Sequence, residues 1–318
     1  MNNARSIFAG YHPLINFLYF GYVILVPIFF LHPVILAISF MSALAYSIYL
    51  GRGKAAKIGL CFVLPLMVIA ALFNAAFNHR GATILFYFHY NPITLEAVIY
   101  GICMALMIGC VILWFLCYNA IMTSDKFIYL FGKIIPSMSM VISMALRFIP
   151  RYRAQIQRII AARRGIGFDV SSGSFIRRVR SGGEILSVMV TWALENGIET
   201  GNSMLAHGYG LPGRTAYSNY RFDSRDRALL IGFAVLMAIS LACIFTGALS
   251  VEYYIRFSMV SLMPYAWIAY ICHGAVCLLP LALELREDIL WERYHMAIQD
   301  KAGAGQRDGS FCPAKENI

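Results

Sequence analysis

Six apolar runs, separated by short polar or proline-containing stretches, dominate the pattern of hydrophobic and polar positions. They cover about residues 14–31, 33–50, 58–77, 93–121, 228–250 and 257–283. A helix needs about 20 apolar residues to cross the hydrocarbon core of a bilayer. His32-Pro33 separates the first two runs, because the residue before a proline is disfavoured in a helix. The pattern therefore predicts an all-α polytopic membrane protein with about six transmembrane helices.

The segment 123–226 has a different pattern, with frequent charges and clustered glycines. Residues 137–164 predict one long helix, because apolar side chains recur along them at spacings of three and four: Met138, Ile142, Ala145, Ile149, Tyr152, Ile156 and Ile159. A second long helix is predicted at 182–206. Its core, ILSVMVTWAL (185–194), is apolar on every face and has to be buried against something.

Composition supports a membrane protein and gives it an orientation. Of the 318 residues, 60% are hydrophobic and 13% are charged, whereas soluble domains carry about 25% charged residues. The net charge of +10 could indicate nucleic acid as a partner. With both termini in the cytoplasm, however, all of the 26 Lys and Arg except Arg80 and Arg256 lie inside. That distribution follows the positive-inside rule, so no nucleic acid is expected.

These observations divide the chain into four parts. Residues 1–122 hold spans one to four, and 123–226 form a cytoplasmic region of two long helices. Residues 227–284 hold the last two spans. Residues 285–318 form a cytoplasmic tail that is expected to be partly disordered from about residue 300. The aromatic stretch 84–92 is expected to lie at the membrane–water interface.

Candidate chemistry within the chain is sparse. There is no phosphate-binding G-x-x-x-x-G-K-[ST] loop, no H-E-x-x-H and no G-x-S-x-G. Cys103, Cys110 and Cys117 recur every seven residues on one helix face, which favours packing over metal binding. Glu96 follows Asn91-Pro92 and is expected at the membrane boundary. We predict no catalytic residue, no metal site and no cofactor for this chain.

The two long helices end in similar stretches, AARRGIGFD (161–169) and LAHGYGLPGR (205–214). Gly165 is predicted to end the first helix, because glycine tolerates the left-handed conformation found just past helix ends. Arginines in a final turn are favoured by the helix dipole, so Arg163 and Arg164 can be capping residues. Alternatively, an arginine at such an end projects into a partner protein, for which its planar fork is suited. Local sequence leaves both interpretations open.

The chain resembles the transmembrane coupling component (T component) of energy-coupling factor transporters, the EcfT/CbiQ-like family. The resemblance covers most of the length. It rests on YHPLINFLYF (11–20), His32-Pro33, QRIIAARRGIGFD (157–169), SMLAHGYGLPGRT (203–215) and YRFDSRDR (220–227). Family members carry a short motif with a central arginine at the end of each of two cytoplasmic coupling helices.

The resemblance implies ATPase-docking residues at both helix ends. The first set is Arg163, Arg164 and Gly165, with Arg164 as the central arginine, and the second is Ala206, His207 and Gly208. His207 stands where the family usually has arginine, which implies unequal docking sites, and Arg214 is a possible accessory cation. The implied partners are two ABC ATPase subunits, which bind the ATP, and a substrate-binding membrane S component that carries a vitamin, cobalt, nickel or another micronutrient. The implied location is the plasma (cytoplasmic) membrane.

Two other classes remain compatible with the residues. One is a polytopic membrane enzyme or scaffold whose basic middle region binds anionic membrane lipid. The other is a conventional ABC permease that binds its substrate directly. The T-component interpretation differs from both in requiring ATPase subunits and a third membrane protein.

Overall fold

The structure is a computed structural model, and it describes most of the chain. The described residues are 6–51, 54–78, 81, 83–88, 91–132, 135–167, 174–209, 211, 220, 222–246, 249–253, 258–261 and 265–308. In chain order the elements are α1 (Ile7–Gly10), α2 (Pro13–Phe29), α3 (Pro33–Leu50), α4 (Lys54–Phe77), β1 (Ile84–Phe88), β2 (Asn91–Thr94), α5 (Leu95–Ile121), α6 (Ser124–Gly132), α7 (Pro136–Gly165), α8 (Phe175–Ala206), α9 (Ser224–Phe245), β3 (Leu249–Glu252), β4 (Ser258–Ser261) and α10 (Tyr265–Asp308).

The apolar runs fold as helices, which confirms the predicted all-α polytopic class. Within the described part of the chain, four helices are long and apolar enough to cross a membrane: Pro33–Leu50, Leu95–Ile121, Ser224–Phe245 and the Tyr265–Met296 part of α10. Shorter apolar helices occupy the first and third predicted spans, Pro13–Phe29 and Cys61–Phe77. The predicted break at His32-Pro33 is confirmed, because α2 ends at Phe29 and Pro33 opens α3.

Two β-hairpins occupy segments for which no strand was predicted. β1 pairs with β2 in an antiparallel hairpin where the sequence indicated only an interfacial aromatic stretch. β3 pairs with β4, so the last span begins at Tyr265 instead of residue 257. These runs of four or five residues are too short to distinguish a strand from the end of a helix by periodicity.

The last helix also continues further than expected. α10 extends to Asp308, past residue 300, where the sequence indicated loss of order. Extending an existing helix requires no new nucleation, so small residues that would not start a helix can still continue one.

The chain divides into two compact units. The first consists of Met1–Thr123 and Tyr220–Ile318, and the second of Ser124–Asn219. An aromatic core holds the first unit together, in which Phe8, Tyr19, Phe20, Trp114 and Phe233 are almost fully buried. The three cysteines at seven-residue spacing are buried in this unit as well.

Small residues on α5 allow α4 to approach closely. Gly101, Ala105 and Gly109 lie on one face at a spacing of four residues. A Cβ atom at Gly101 would lie 3.0 Å from the backbone oxygen of Ala71. Packing between membrane helices favours such small residues, because there is little hydrophobic drive for helices to associate within lipid.

Polar side chains connect distant parts of the first unit. The Tyr22 hydroxyl on α2 donates to Ser240 Oγ on α9 at 2.8 Å and lies 3.1 Å from His273 Nδ1 on α10. The buried carboxylate of Glu284 accepts hydrogen bonds from the hydroxyls of Ser6 and Tyr46. Buried polar groups need such partners, and these contacts specify which helices pack together.

The second unit contains the two long helices predicted from the sequence. α7 has 30 residues and α8 has 32, so each is on the order of 45 Å long. α8 begins at Phe175 instead of residue 182. The sequence obscured this start, because Gly182-Gly183 resembles a break, yet both glycines lie within the helix. The short α6 packs on α7, where Ser139 Oγ donates to the Ile128 carbonyl at 3.3 Å.

Candidate functional site: the ends of the two long helices

The C-terminus of α7 carries the first predicted docking residues. Arg163 and Arg164 lie in its final turn, and their carbonyls accept hydrogen bonds from the N–H groups of Ile166 (3.2 Å) and Gly167 (3.1 Å). Gly167 has φ +82°, so it adopts the left-handed conformation that ends the helix. The predicted end of the helix at Gly165 is confirmed, since Gly165 is the last helical residue. The left-handed conformation, however, is adopted by Gly167 and not by Gly165.

The C-terminus of α8 carries the second predicted set. Ala206 is the last helical residue, and the N–H of the C-cap residue His207 donates to the Ser203 carbonyl at 3.0 Å. Gly208 has φ +78° and turns the chain. A Cβ atom there would lie 3.1 Å from Leu211 Cδ1, so the turn is also packed. Both long helices thus end at a glycine with positive φ.

The two ends differ in charge and in register. Arg164 precedes its turning glycine by three residues, whereas His207 immediately precedes Gly208. The final turn of α7 holds two arginines, and the final turn of α8 holds no basic residue. The residue three positions before Gly208 is Leu205, and its apolar side chain is exposed. The two ends therefore present different chemistry to a partner.

The two neighbouring arginines of α7 have different environments. Arg163 turns toward α8, where its Nη2 lies 2.5 Å from Glu184 Oε2 and its Nη1 lies 3.4 Å from the Ser181 carbonyl oxygen. Only 17% of the Arg163 side chain is exposed. Arg164 is exposed at the helix end. The sequence places both arginines in one motif. In the structure, Arg163 contacts the neighbouring helix, whereas Arg164 is exposed.

Contacts at two levels show that α7 and α8 run antiparallel. The rings of Tyr152 and Trp192 meet edge to face with centroids 5.5 Å apart. Further along α7, Arg163 contacts Ser181 and Glu184, which come earlier on α8. The C-terminal ends of the two helices therefore point away from each other. The distance from the aromatic contact to each C-terminal end can be counted at 1.5 Å per residue. Added together, these two lengths separate the ends by up to about 40 Å.

Much of the apolar surface of these helices is exposed. On α8, only Ile185 and Met189 are buried among the described residues. Apolar side chains at a spacing of four residues remain exposed along it: Leu186, Val190, Leu194 and Ile198. On α7, five members of the predicted stripe are exposed: Met138, Ile142, Ala145, Ile149 and Ile156. Among the described residues, little covers the ILSVMVTWAL segment, so we expect lipid or a partner to bury it.

Other residues singled out in the sequence lie elsewhere. Arg214 lies outside the described residues. Glu96 is buried at the start of α5, where it accepts hydrogen bonds from the N–H and hydroxyl of Thr83, the latter at 2.8 Å. Within the part of the chain that the structure describes, no group of three or more His, Cys, Asp or Glu residues is arranged to hold a metal ion.

Glu184 is the residue of this region that sequence analysis missed. It lies just after Gly182-Gly183 and belongs to no recognised motif. Its pairing with Arg163 joins residues 21 positions apart on different helices. A local pattern carries no signal for such a contact, and only the antiparallel register reveals it.

Several apolar helices that are long enough to cross a membrane, together with a separate unit that contains two long helices with turned ends, define a multi-pass membrane protein. Comparison with known proteins identifies its family. The profile of the CbiQ family, described as cobalt transport protein, matches residues 15–217. The chain belongs to this family.

Individual relatives support the same assignment. The energy-coupling factor transporter transmembrane protein EcfT of Staphylococcus aureus is 25% identical over 240 residues, which cover 69% of this chain and 88% of that protein. The EcfT protein of Lactobacillus helveticus is 32% identical over 108 residues, or 34% of this chain and 39% of that protein. An uncharacterized protein of Mycoplasma pneumoniae is 30% identical over 115 residues, or 36% of this chain and 26% of that protein. The chain therefore spans well under half the length of the last two relatives.

Proposed function

We propose that this protein is the transmembrane coupling subunit of an energy-coupling factor importer. In this proposal the chain is not itself an enzyme. Two ABC ATPase subunits bind ATP and dock at the ends of α7 and α8. Their closure moves the two helices, and the movement reorients a substrate-binding S component in the membrane. Both chain termini and the α6–α8 unit lie in the cytoplasm.

The main support for this proposal is the antiparallel arrangement of α7 and α8. In this arrangement, two exposed helix ends, each followed by a glycine with positive φ, lie tens of ångströms apart. Such a spacing suits two separate protein partners. Arg164 is exposed at the α7 end, and the planar fork of an arginine can bind carboxylates or several carbonyls at once. The S. aureus relative is named as an energy-coupling factor transporter transmembrane protein, which agrees with this function.

The two docking sites are unequal in this proposal. The α7 end provides a permanent cation at Arg164, whereas the α8 end provides His207 beside the exposed Leu205. An imidazole lacks the planar five-donor fork of arginine, and the Leu205 side chain beside it is apolar. Docking at the α7 end should therefore depend strongly on salt, and docking at the α8 end only weakly.

Co-purification of ATPase subunits with variants of the chain tests the proposal. We expect Arg164→Ala to weaken ATPase binding about tenfold or more, as for loss of a charge-assisted contact at an interface. His207→Ala should weaken it less. Arg158→Ala, an exposed arginine earlier on α7, is the matched control and should have little effect. Equal losses for Arg164→Ala and His207→Ala would contradict unequal sites, and wild-type chain without any ATPase partner would refute the function.

A second candidate is that the start of α8 binds anionic lipid. Phe175, Ile176 and Val179 are exposed and lie within about 100° of one another around the helix. Arg177, Arg178 and Arg180 occupy the rest of its circumference. Such a segment is suited to the surface of an anionic membrane. Binding of the chain in detergent to vesicles with and without phosphatidylserine, compared between wild type and Phe175→Ser/Ile176→Ser, tests this candidate.

A further inference from the structure

Arg163 and Glu184 form a contact between α7 and α8 close to the α7 end. The Glu184 carboxylate is shared, because its Oε2 atom meets Arg163 and its Oε1 atom lies 3.7 Å from Arg180 Nε. Arg163 also donates to the Ser181 carbonyl. We call this group of four residues the clasp. The donors of Arg163 are directed at α8, so this arginine is poorly placed to reach a partner protein beyond the helix end.

The clasp adds a polar contact between α7 and α8 to the edge-to-face contact of Tyr152 with Trp192. The two lie about 16 Å apart along α7. A single contact between two rods lets them swing about that point, whereas two contacts fix the crossing angle. Without the clasp, α7 would lose its polar contact with α8 near the docking end, and the crossing angle of the two helices would be held less firmly.

We propose that Arg163 is a positioning residue, and that its clasp with Glu184 holds the α7 end at a fixed angle to α8 so that movement of one docking end is transmitted to the other. This rests on the proposed coupling function. Arg164 contacts the ATPase, and Arg163 acts through α8. The neighbouring arginines, which the sequence places in one motif, therefore have separate roles.

The exposure of the clasp suits a contact that opens and closes. About half of the Glu184 side chain (52%) is exposed. A solvent-exposed ion pair shifts an equilibrium by a factor of about five at most. The clasp is therefore strong enough to favour one crossing angle and weak enough to be broken in each transport cycle.

Charge reversal in the assembled transporter tests the proposal. In complexes reconstituted with the co-purifying ATPases and S component, we expect Arg163→Gln and Glu184→Gln to lower ATP-driven uptake about three- to fivefold. ATPase binding should stay within twofold of wild type. The double variant Arg163→Glu/Glu184→Arg should restore uptake when it is made together with Arg180→Gln, because Arg180 would otherwise repel a cation at position 184, and Arg158→Gln is the control for loss of an α7 cation. Loss of ATPase binding in Arg163→Gln as severe as in Arg164→Gln, or no recovery in this charge-reversed variant, would overturn it.

A distance measurement on the chain alone separates this proposal from the function on which it rests. Spin labels at the exposed positions Ala161 and Val179, in a chain with Cys61 and Cys312 replaced, report the spacing of the helices beside the clasp. We expect one narrow distance distribution in wild type, a broader one in Glu184→Gln and a narrow one again in the charge-reversed pair with Arg180→Gln. An unchanged distribution in Glu184→Gln would refute the clasp even if ATPases bind. A wild-type chain that shows these distances but binds no ATPase would refute only the coupling function.

Discussion

Gly101 should be more sensitive to substitution than Gly232, another helical glycine of the first unit. A Cβ atom there would lie 3.0 Å from the Ala71 backbone oxygen and 3.3 Å from Asn74 Cβ, both on α4. A backbone oxygen moves only with its helix, so Gly101→Ala must push α4 away by a few tenths of an ångström. Overpacking of this kind destabilises proteins by about 1–3 kcal/mol.

Two further glycines provide the comparison. A Cβ atom at Gly232 would have nothing within 4 Å, so Gly232→Ala reports only the helix propensity gained, at most about 1 kcal/mol. At Gly109 the nearest atom would be Met67 Sδ at 2.5 Å, at the far part of a flexible side chain. Met67 can rotate away, and an off-rotamer side chain costs about 0.5–1.5 kcal/mol.

Thermal unfolding of the purified chain in detergent, followed by circular dichroism, measures these differences. We expect stability to fall in the order Gly232→Ala, Gly109→Ala, Gly101→Ala, with about 1–3 kcal/mol between the first and the last. Equal midpoints for Gly101→Ala and Gly232→Ala would refute the close approach of α4 and α5.

Two further predictions concern buried charged groups, and the same unfolding assay checks both. Glu284→Ala leaves the Ser6 and Tyr46 hydroxyls without their acceptor and should cost about 1–3 kcal/mol, whereas Glu284→Gln keeps an acceptor oxygen and should cost less. Burial lowers the pKa of Lys126 on α6 from 10.5 to about 8. Between these values the unfolded chain binds more protons, so stability should rise with pH from 8 to 10.5 by about 1.4 kcal/mol per unit. A slope that persists in Lys126→Met would refute the assignment to this residue.

The parts of the fold that were predicted correctly depend on local patterns. The apolar runs and His32-Pro33 predict the helices of the first unit, because length and proline geometry act locally. α7 was predicted within a residue at each end, since its apolar stripe continues through Pro150 without interruption. The hairpin β1–β2 was missed because a short aromatic run suits a strand as well as a membrane interface.

The site was predicted in outline only. Its two helix ends carry recognisable sequence, so they could be located before the structure was known. The separate surroundings of Arg163 and Arg164 depend on the register of two helices joined by a loop, and no periodicity encodes that register. The sequence predicted the left-handed turn at Gly165 instead of Gly167, because either glycine can end a helix. Only the hydrogen bonds at the end of α7 show which glycine makes the turn.

The hydrogen bonds of Tyr22 have a consequence for the order in which the chain folds. Its partner His273 lies 251 residues further along the chain. At about 5–20 residues per second, a ribosome needs roughly 13–50 s to make that stretch. During this time the Tyr22 hydroxyl has neither of its final partners, because Ser240 is also made late. The nascent α2 therefore enters the membrane with an unsatisfied polar group, and synthesis of the last two helices completes the bundle. Chains truncated before α9 should accordingly be degraded faster than the full-length protein.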